Sequence, residues 1–457
     1  MAFSFSSLLR PICVEGVFGS SSSNHRMLGE KWSARSGATT SFSNHRMLGG
    51  KWSARSGATT SFKLRGVCTA SATTASDHPW LMLSPKLKGG TMSNNFYSLA
   101  DSMVHTPASP SDVIRNRVLT CRGSSHGWLA LVSPQDDQLF LYNPISGRHI
   151  NLPSIVSLPR LPEDDAISRR DVAKLILSCS PDEDEENCRA VVINGCGNTL
   201  AFCCPGRSKE WTIIFDKKRG RRDYVDIVYS DKQKLFFVLA DCSRIETWDL
   251  GDSSRPKFIK ADKVDWTEYF RNSSIKKKVK CLCGRAEYLV VANGDLLLVI
   301  RYILDYVGPD GQCFDHLDER RPDYMGEHKC DLSPVRCHHM TIGFDIWKHD
   351  PKNRNFKYLD SSSLGDLAIF VGLHSHSAAI QASEFPEVKP GSIYFTDGYY
   401  TGSLEGGLEH DGLLLVHGGH DIGIYNYKDR TVSPCYYPCD APSVKSILPA
   451  PIWFFPS

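Results

Sequence analysis

The chain has 457 residues, 41% of them hydrophobic and 10% aromatic, which is ample material for one large core. Its 53 basic and 51 acidic side chains leave a net charge of +2, without the basic field of a nucleic-acid-binding domain. No run reaches the ~18 uninterrupted apolar residues that span a bilayer as a helix, and the best stretch, Leu296 to Leu304, is broken by Arg301.

Charge is unevenly placed along the chain. Before Val67 nine basic side chains face only Glu15 and Glu30, so this part carries +7 and the remainder −5. Residues 23–42, SNHRMLGEKWSARSGATTSF, recur as residues 43–62 with Gly50 in place of Glu30. Two copies are fewer than the ~3 repeats needed to bury a shared core, and the polar, glycine-containing unit predicts disorder. A Ser-, Thr- and Arg-rich segment poor in acids has the composition of an organellar transit peptide, and Arg65 to Ser71 resembles a presequence cleavage site. Residues 1–69 are therefore expected to form a disordered leader addressed to the mitochondrion. A plastid is the alternative, and then the cytoplasm or nucleus. Residues 70–120 read as a lead-in that contains His78 to Leu83 and Phe96 to Leu99.

From Ser124 to Pro153 the pattern changes to three short strands separated by turn chemistry. Trp128 to Val132 and Leu139 to Tyr142 are apolar runs of strand formers, and Arg148 to Leu152 alternates polar with apolar. Paired runs recur at Leu235 to Ala240 with Ile245 to Leu250, at Tyr288 to Ala292 with Leu296 to Ile300, and at Leu413 to His417 with Ile422 to Tyr427. A recurring meander predicts an all-β propeller of about six four-stranded blades over residues 121–457. Trp128, Trp211, Trp248, Trp347 and Trp453 punctuate the runs and are expected to wedge between blades. Ala450 to Phe455 is expected to close the ring.

This stretch resembles the plant KIB-type β-propeller family, also catalogued as domain of unknown function 295. The resemblance runs in order through SSHGWLAL, LFLYNPISGRHINLP, VAKLILSCSP, NTLAFCCPGRSKEWT, DIVYSDKQKLFFVL, RIETWDL, YLVVANGDLLLVIRY, TIGFDIWK, SEFPEVKPGSIYFTD, DIGIYNYKD and LPAPIWFFP, from about Phe96 to Phe455. Its motifs are structural rather than catalytic. The resemblance implies a kelch-like propeller and an organelle-targeted branch that lacks an F-box, since no Leu-Pro followed by acidic and aliphatic helix positions is found upstream.

No set of residues in the sequence points to chemistry. Gly123 to Gly127 fits G-x-S-x-G, but the strand Trp128 to Val132 follows where a nucleophile elbow needs a helix. Residues 308–340 form a polar insertion holding Cys313, His316, His328, Cys330, Cys337, His338 and His339, whose spacings match no paired zinc knuckle. Asp182 to Glu186 reads as a solvated loop tip without the turn glycine of a calcium loop. Lys217 to Arg222 and Lys276 to Lys280 lack the interleaved aromatics of a single-strand platform. The sixteen cysteines show no disulfide framework; Cys179 and Cys196 read as small hydrophobes of strand runs in a reducing interior. No catalytic, cofactor-binding or metal-ligating residue is therefore assigned. The expected activity is non-enzymatic binding of a protein partner on one face of the ring, with no nucleic acid and no membrane span. The alternative is an F-box-type substrate receptor of a ubiquitin ligase, which alone would call for the ligase adaptor and a helix pair within residues 70–120.

Overall fold

The computed structural model describes residues 68–69, 78–84, 86–88, 91–106, 119–133, 135–158, 172–194, 199–214, 222–240, 244–265, 283–307, 338–398, 419–437, 447 and 449–456. Residues 1–67 of the leader, with the tandem repeat, both basic clusters except Arg222, and residues 308–337 of the His/Cys-rich insertion lie outside these; the last two residues of the expected leader, Cys68–Thr69, instead form a short strand parallel to Met103–Thr106.

Six blade sheets follow one another along the described residues, and a seventh, two-stranded sheet pairs Lys86–Lys88 with Thr91–Ser93. The second blade contains Thr120–Ser125, Trp128–Ser133, Gln138–Tyr142 and His149–Asn151. The third contains Val172–Leu177, Ala190–Asn194, Thr199–Cys203 and Thr212–Ile214, and the fourth Tyr224–Ser230, Leu235–Ala240, Arg244–Asp249 and Lys257–Lys263. The fifth contains Cys283–Ala292, Asp295–Val307, His338–Asp350 and Asn355–Leu359. In each of these the strands pair antiparallel in chain order, and the first strand of one blade packs beside the first of the next. The first strands therefore line the ring axis and the last strands form the rim.

The two remaining blades depart from chain order. The first joins Trp80–Met82, Phe96–Ser98 and Met103–Thr106 to the C-terminal strand Ile452–Phe454, which takes the innermost place by pairing Leu81 with Trp453. Three strands of this blade thus fall in the segment read as a lead-in, so the propeller begins before residue 121. In the sixth, Leu367–Val371 lies antiparallel to Ala378–Gln381 and parallel to Ser392–Phe395, followed by Gly423–Asn426 and Thr431–Ser433. Of the sequence pairing of Leu413 to His417 with Ile422 to Tyr427, the first run lies outside the described residues. Both edges of Gly423–Asn426 are taken, by Ser392–Phe395 on one side and Thr431–Ser433 on the other.

Trp128–Ser133, Ala190–Asn194, Thr199–Cys203 and Leu235–Ala240 read as apolar runs because they are buried on both faces. Trp128, Ala130 and Val132 point into one core with Val172, Leu175 and Trp211, while Leu129 and Leu131 point into another with Phe96, Phe140 and Phe454. Equivalent cores join the third and fourth blades around Phe202 and Trp248, the fourth and fifth around Leu298 and Trp347, the fifth and sixth around Phe344 and Phe395, and the sixth and first around Phe370 and Trp453. Every gap in the ring is filled by one such core. The five tryptophans named from sequence all lie in them, none more than 6% exposed.

Close approach of the inner strands imposes one glycine. A Cβ on Gly123 would run into the backbone carbonyl oxygen of Leu175 in the next blade and lie 3.2 Å from the Cβ of Ala130. Gly123→Ala is expected to cost about 1–3 kcal/mol through overpacking, read as a lower urea midpoint at unchanged m-value.

Candidate functional site

The inner strands carry polar side chains where an ordinary sheet core would be apolar. Lys174 Nζ lies 2.6 Å from Asp226 Oδ1, with both side chains at most 5% exposed. The same carboxylate accepts from Ile227 N at 2.8 Å and, through Oδ2, from Leu289 N at 2.7 Å. One aspartate therefore ties the third, fourth and fifth blades together. Burying these charges is costly unless each is paired and hydrogen-bonded, a condition this geometry meets.

A second polar centre joins the fifth and sixth blades. Arg301, fully buried, donates from Nε to Thr341 Oγ1 at 2.7 Å, from Nη1 to the Thr396 carbonyl at 2.7 Å, and from Nη2 to Asp421 Oδ2 at 2.8 Å and to its carbonyl at 2.9 Å. Its guanidinium carbon also stands 4.7 Å from the centroid of the Phe395 ring. Burial works against its charge, but Asp421, Tyr288 and Asp397 outweigh it and push the pKa further up. Thr341 Oγ1 donates onward to Asp421 Oδ2 at 2.6 Å, so the hydroxyl relays between cation and carboxylate.

Beside this centre lie His339, Asp397 and His420, all buried, with potential ligand atoms within 4.8 Å of one another. Two imidazoles and a carboxylate are ligand types that hold divalent transition metals. Here His339 Nε2 sits 2.8 and 3.0 Å from the two Asp397 oxygens, and His420 Nε2 lies 3.0 Å from the His339 carbonyl. Burial disfavours the charged form of His339, yet Asp397 prevails and holds its pKa above the ordinary value. Burial likewise opposes ionisation of Asp397, but His339 and Arg301 bring it down to about 2. These hydrogen bonds account for the group as an ion pair that fastens the sixth blade to the fifth. His339 belongs to the insertion that the spacing argument tested for zinc; Asp397 and His420 had no signal in the sequence, being brought to it from 58 and 81 residues away.

The G-x-S-x-G stretch folds as strand, turn, strand. Ser125 ends the innermost strand of the second blade, and His126 and Gly127 follow with φ of 50° and 72°, as a two-residue hairpin turn requires. The helix needed by a nucleophile elbow is replaced by Trp128–Ser133. Sequence reasoning missed that His376 Nδ1 comes within 3.3 Å of Ser125 Oγ. Burial, with His126 and Lys174 nearby, drives the His376 pKa down to about 3, so this imidazole is neutral. Ser125 Oγ also accepts from Leu177 N at 3.2 Å, and no carboxylate orients His376 among the described residues. The hydroxyl thus serves as a stitch between blades.

These shifts set the pH response. His376, held neutral in the fold, destabilises it as pH falls from 6.5 toward 3, because the unfolded chain takes up the proton first. Asp397 contributes stability above the ordinary carboxylate range that is lost as pH falls through about 2. The raised His339 contributes below 6.5 and loses that contribution as pH climbs through its folded pKa. His376→Gln is expected to flatten the acid limb between pH 6.5 and 3 in melting-temperature profiles, and His339→Gln the limb above 6.5.

At one end of the ring the turns between first and second and between third and fourth strands of neighbouring blades interlock. Arg189 donates to the Leu250 and Gly251 carbonyls at 3.0 and 2.8 Å, Arg148 pairs with Asp182, and Gln233 donates to the Gly294 carbonyl at 3.2 Å. Asp182 to Glu186 form an exposed hairpin tip there, as read from sequence. An open cleft of about 530 Å³ lies beside the turn Asp249 to Phe258. Among the described residues no helix is long and apolar enough to cross a membrane.

The sequence profile of the KIB1-4 β-propeller matches residues 96–426. The chain belongs to the KIB1-4 β-propeller family. Comparison with curated proteins gives no match. Among solved structures, Citrobacter koseri AztD is 11% identical over 48% of this chain and 67% of its own, with a TM-score of 0.26. Kluyvelomyces marxianus Hsv2 is 9% identical over 50% and 67%, with a TM-score of 0.25. The β-propeller domain of Myceliophteria thermophila Cps50 (Swd1) is 12% identical over 63% and 88%, with a TM-score of 0.26. The KIB1-4 assignment rests on the family match and not on these distant likenesses.

Proposed function

We propose that this KIB1-4 propeller is a non-enzymatic interaction module that holds a protein partner on one end of its ring, inside an organelle and in the first place the mitochondrion. The observation that carries this reading is the interlocked turn end. Tight turns tied to their neighbours by hydrogen bonds from the Arg189 and Gln233 side chains to backbone carbonyls give a preorganised surface, and rigid scaffolds that present loops are commonly used for recognition. The polar residues of the axis are engaged in blade-to-blade bonds, which supports a structural role for them. The organellar part of the proposal rests on the +7 charge and Ser/Thr/Arg composition of the segment before Val67.

An F-box-type receptor would need a helix pair within residues 70–120, and the described part of that segment is instead built from Trp80–Met82, Phe96–Ser98 and Met103–Thr106. The test is import of the radiolabelled chain, with and without residues 1–69, into isolated mitochondria and plastids, followed by proximity labelling from the imported propeller. A protected, shortened product that depends on the leader, with labelled neighbours, is expected. Lack of protection together with co-purification of the ubiquitin-ligase adaptor would replace this reading with the receptor one.

A further inference from the structure

The third blade carries two thiols that the proposed binding role does not use. The ladder pairs Leu177 with Ala190, and Ser178 N donates to the Arg189 carbonyl at 3.0 Å. Cys179 and Cys188 are therefore the next facing pair of the hairpin. A disulfide spans ~4.4–6.8 Å between Cα atoms, the range of residues that face one another at the base of a hairpin loop. The Cys188 thiol donates to the Cys179 carbonyl at 3.3 Å.

The base of the hairpin is held on both sides. Trp128 Nε1 donates to Ser180 Oγ at 3.3 Å from the second blade, and Arg189 reaches the Leu250 and Gly251 carbonyls of the fourth. The sulfurs are thus presented to each other by a fixed frame, with Cys188 buried and Cys179 half-exposed.

We propose that Cys179 and Cys188 are a reversible oxidation site that forms an intramolecular disulfide on reaction with a hydroperoxide. The Cys179 thiolate attacks one peroxide oxygen, the O–O bond breaks, and sulfenic acid forms while the departing oxygen takes a proton. The Cys188 sulfur then attacks the sulfenic sulfur. The S–O bond breaks, and water leaves with the Cys188 proton. With hydrogen peroxide the two thiols give up two electrons in all and two waters result.

The thiol environments favour this order. The hydrogen bond from Cys188 lowers the Cys179 pKa to about 7, although burial opposes it. At pH 7 that is roughly a fifteenfold larger thiolate fraction than in an ordinary thiol. The Cys188 pKa is raised by its bond to Cys179 and by burial, so Cys188 stays protonated while Cys179 reacts first, and it gives up its proton only in the second step. Burial also raises Cys203 and pushes Cys121 up to about 11, so neither competes as a thiolate.

The test treats the folded, full-length protein with stoichiometric hydrogen peroxide, alkylates the remaining thiols, and maps peptides by mass spectrometry with and without dithiothreitol. A Cys179–Cys188 cross-linked peptide is expected, lost on reduction, with the melting transition still present. Cys188→Ser is expected to stop at a sulfenic acid on Cys179 that dimedone traps. Recovery of both residues as alkylated thiols, or a cross-link from Cys188 to Cys203 in its place, would overturn the proposal. The wild-type map decides between these outcomes even where a variant fails to fold.

Discussion

Removal of residues 450–457 is expected to abolish cooperative folding, because it strips the first blade of its innermost strand. Ile452–Phe454 supplies that strand by pairing with Trp80–Met82, and its side chains enter two cores at once. Trp453, fully buried, packs edge-on against Phe370 at 5.0 Å and Tyr394 at 5.8 Å in the sixth blade, while Phe454 meets Phe96 at 5.2 Å toward the second. Trp453 N also donates to Ser375 Oγ at 3.1 Å, which holds the closing strand to the segment leading into Ala378–Gln381. A single Trp453→Ala change is expected to cost about 3–5 kcal/mol, the usual range for an emptied aromatic site. Deletion adds an unpaired edge along Trp80–Met82 and exposes two cores, so aggregation should accompany it. Urea unfolding followed by tryptophan fluorescence measures the first effect, and a sharp, monomeric transition in the truncated chain would contradict the second.

Arg301→Met is expected to rank next, with a loss of about 3–5 kcal/mol, because it leaves a carboxylate buried without its cation. Asp421 would keep Thr341 as a donor and lose the guanidinium, and the Thr396 carbonyl would lose its bond from Nη1. The double change Arg301→Met with Asp421→Asn removes both charges and should recover part of the loss. A double-mutant cycle in urea therefore separates the pair's coupling from the cost of a stranded charge. Equal losses in single and double variants would show that the stacking of the guanidinium on Phe395 and its bonds to backbone carbonyls, and not its pairing with the Asp421 charge, hold the joint.

How far the sequence was legible depended on where each side chain ends up. The second and third strands of the second blade were readable because Trp128 to Val132 and Leu139 to Tyr142 are apolar, β-rich and divided by turn residues, and the fourth because Arg148 to Leu152 alternates polar with apolar. The first strand was not. Thr120–Ser125 reads TCRGSS, which resembles a loop, yet its residues face the axis and are satisfied there by neighbours such as Leu177 N and His376. Lys174 and Asp226 have the same effect in the next two blades, since charges inside strands argue for surface unless the partner is known. Local pattern cannot reveal such partners. Arg301 finds Asp421 from 120 residues away, and His339 finds Asp397 from 58. Cys179 and Cys188 were closer, only nine apart, and the acidic run between them read as a loop tip, but no local pattern marks the two thiols as neighbours across it. In the sixth blade the parallel partner of Leu367–Val371 follows only after a second strand and a wrap through Ala382–Glu384, which no meander repeat anticipates.

The first blade also imposes an order on biosynthesis. Leu81 and Trp453 are neighbours in the sheet yet lie roughly 370 residues apart, so joining them closes nearly the whole chain into one loop. On the ribosome, Trp80–Met82, Phe96–Ser98 and Met103–Thr106 emerge early and must wait as an incomplete sheet until Ile452–Phe454 leaves the exit tunnel. The ring can close only once Ile452–Phe454 has emerged, and until then the N-terminal strands are the part of the nascent protein with most need of a chaperone.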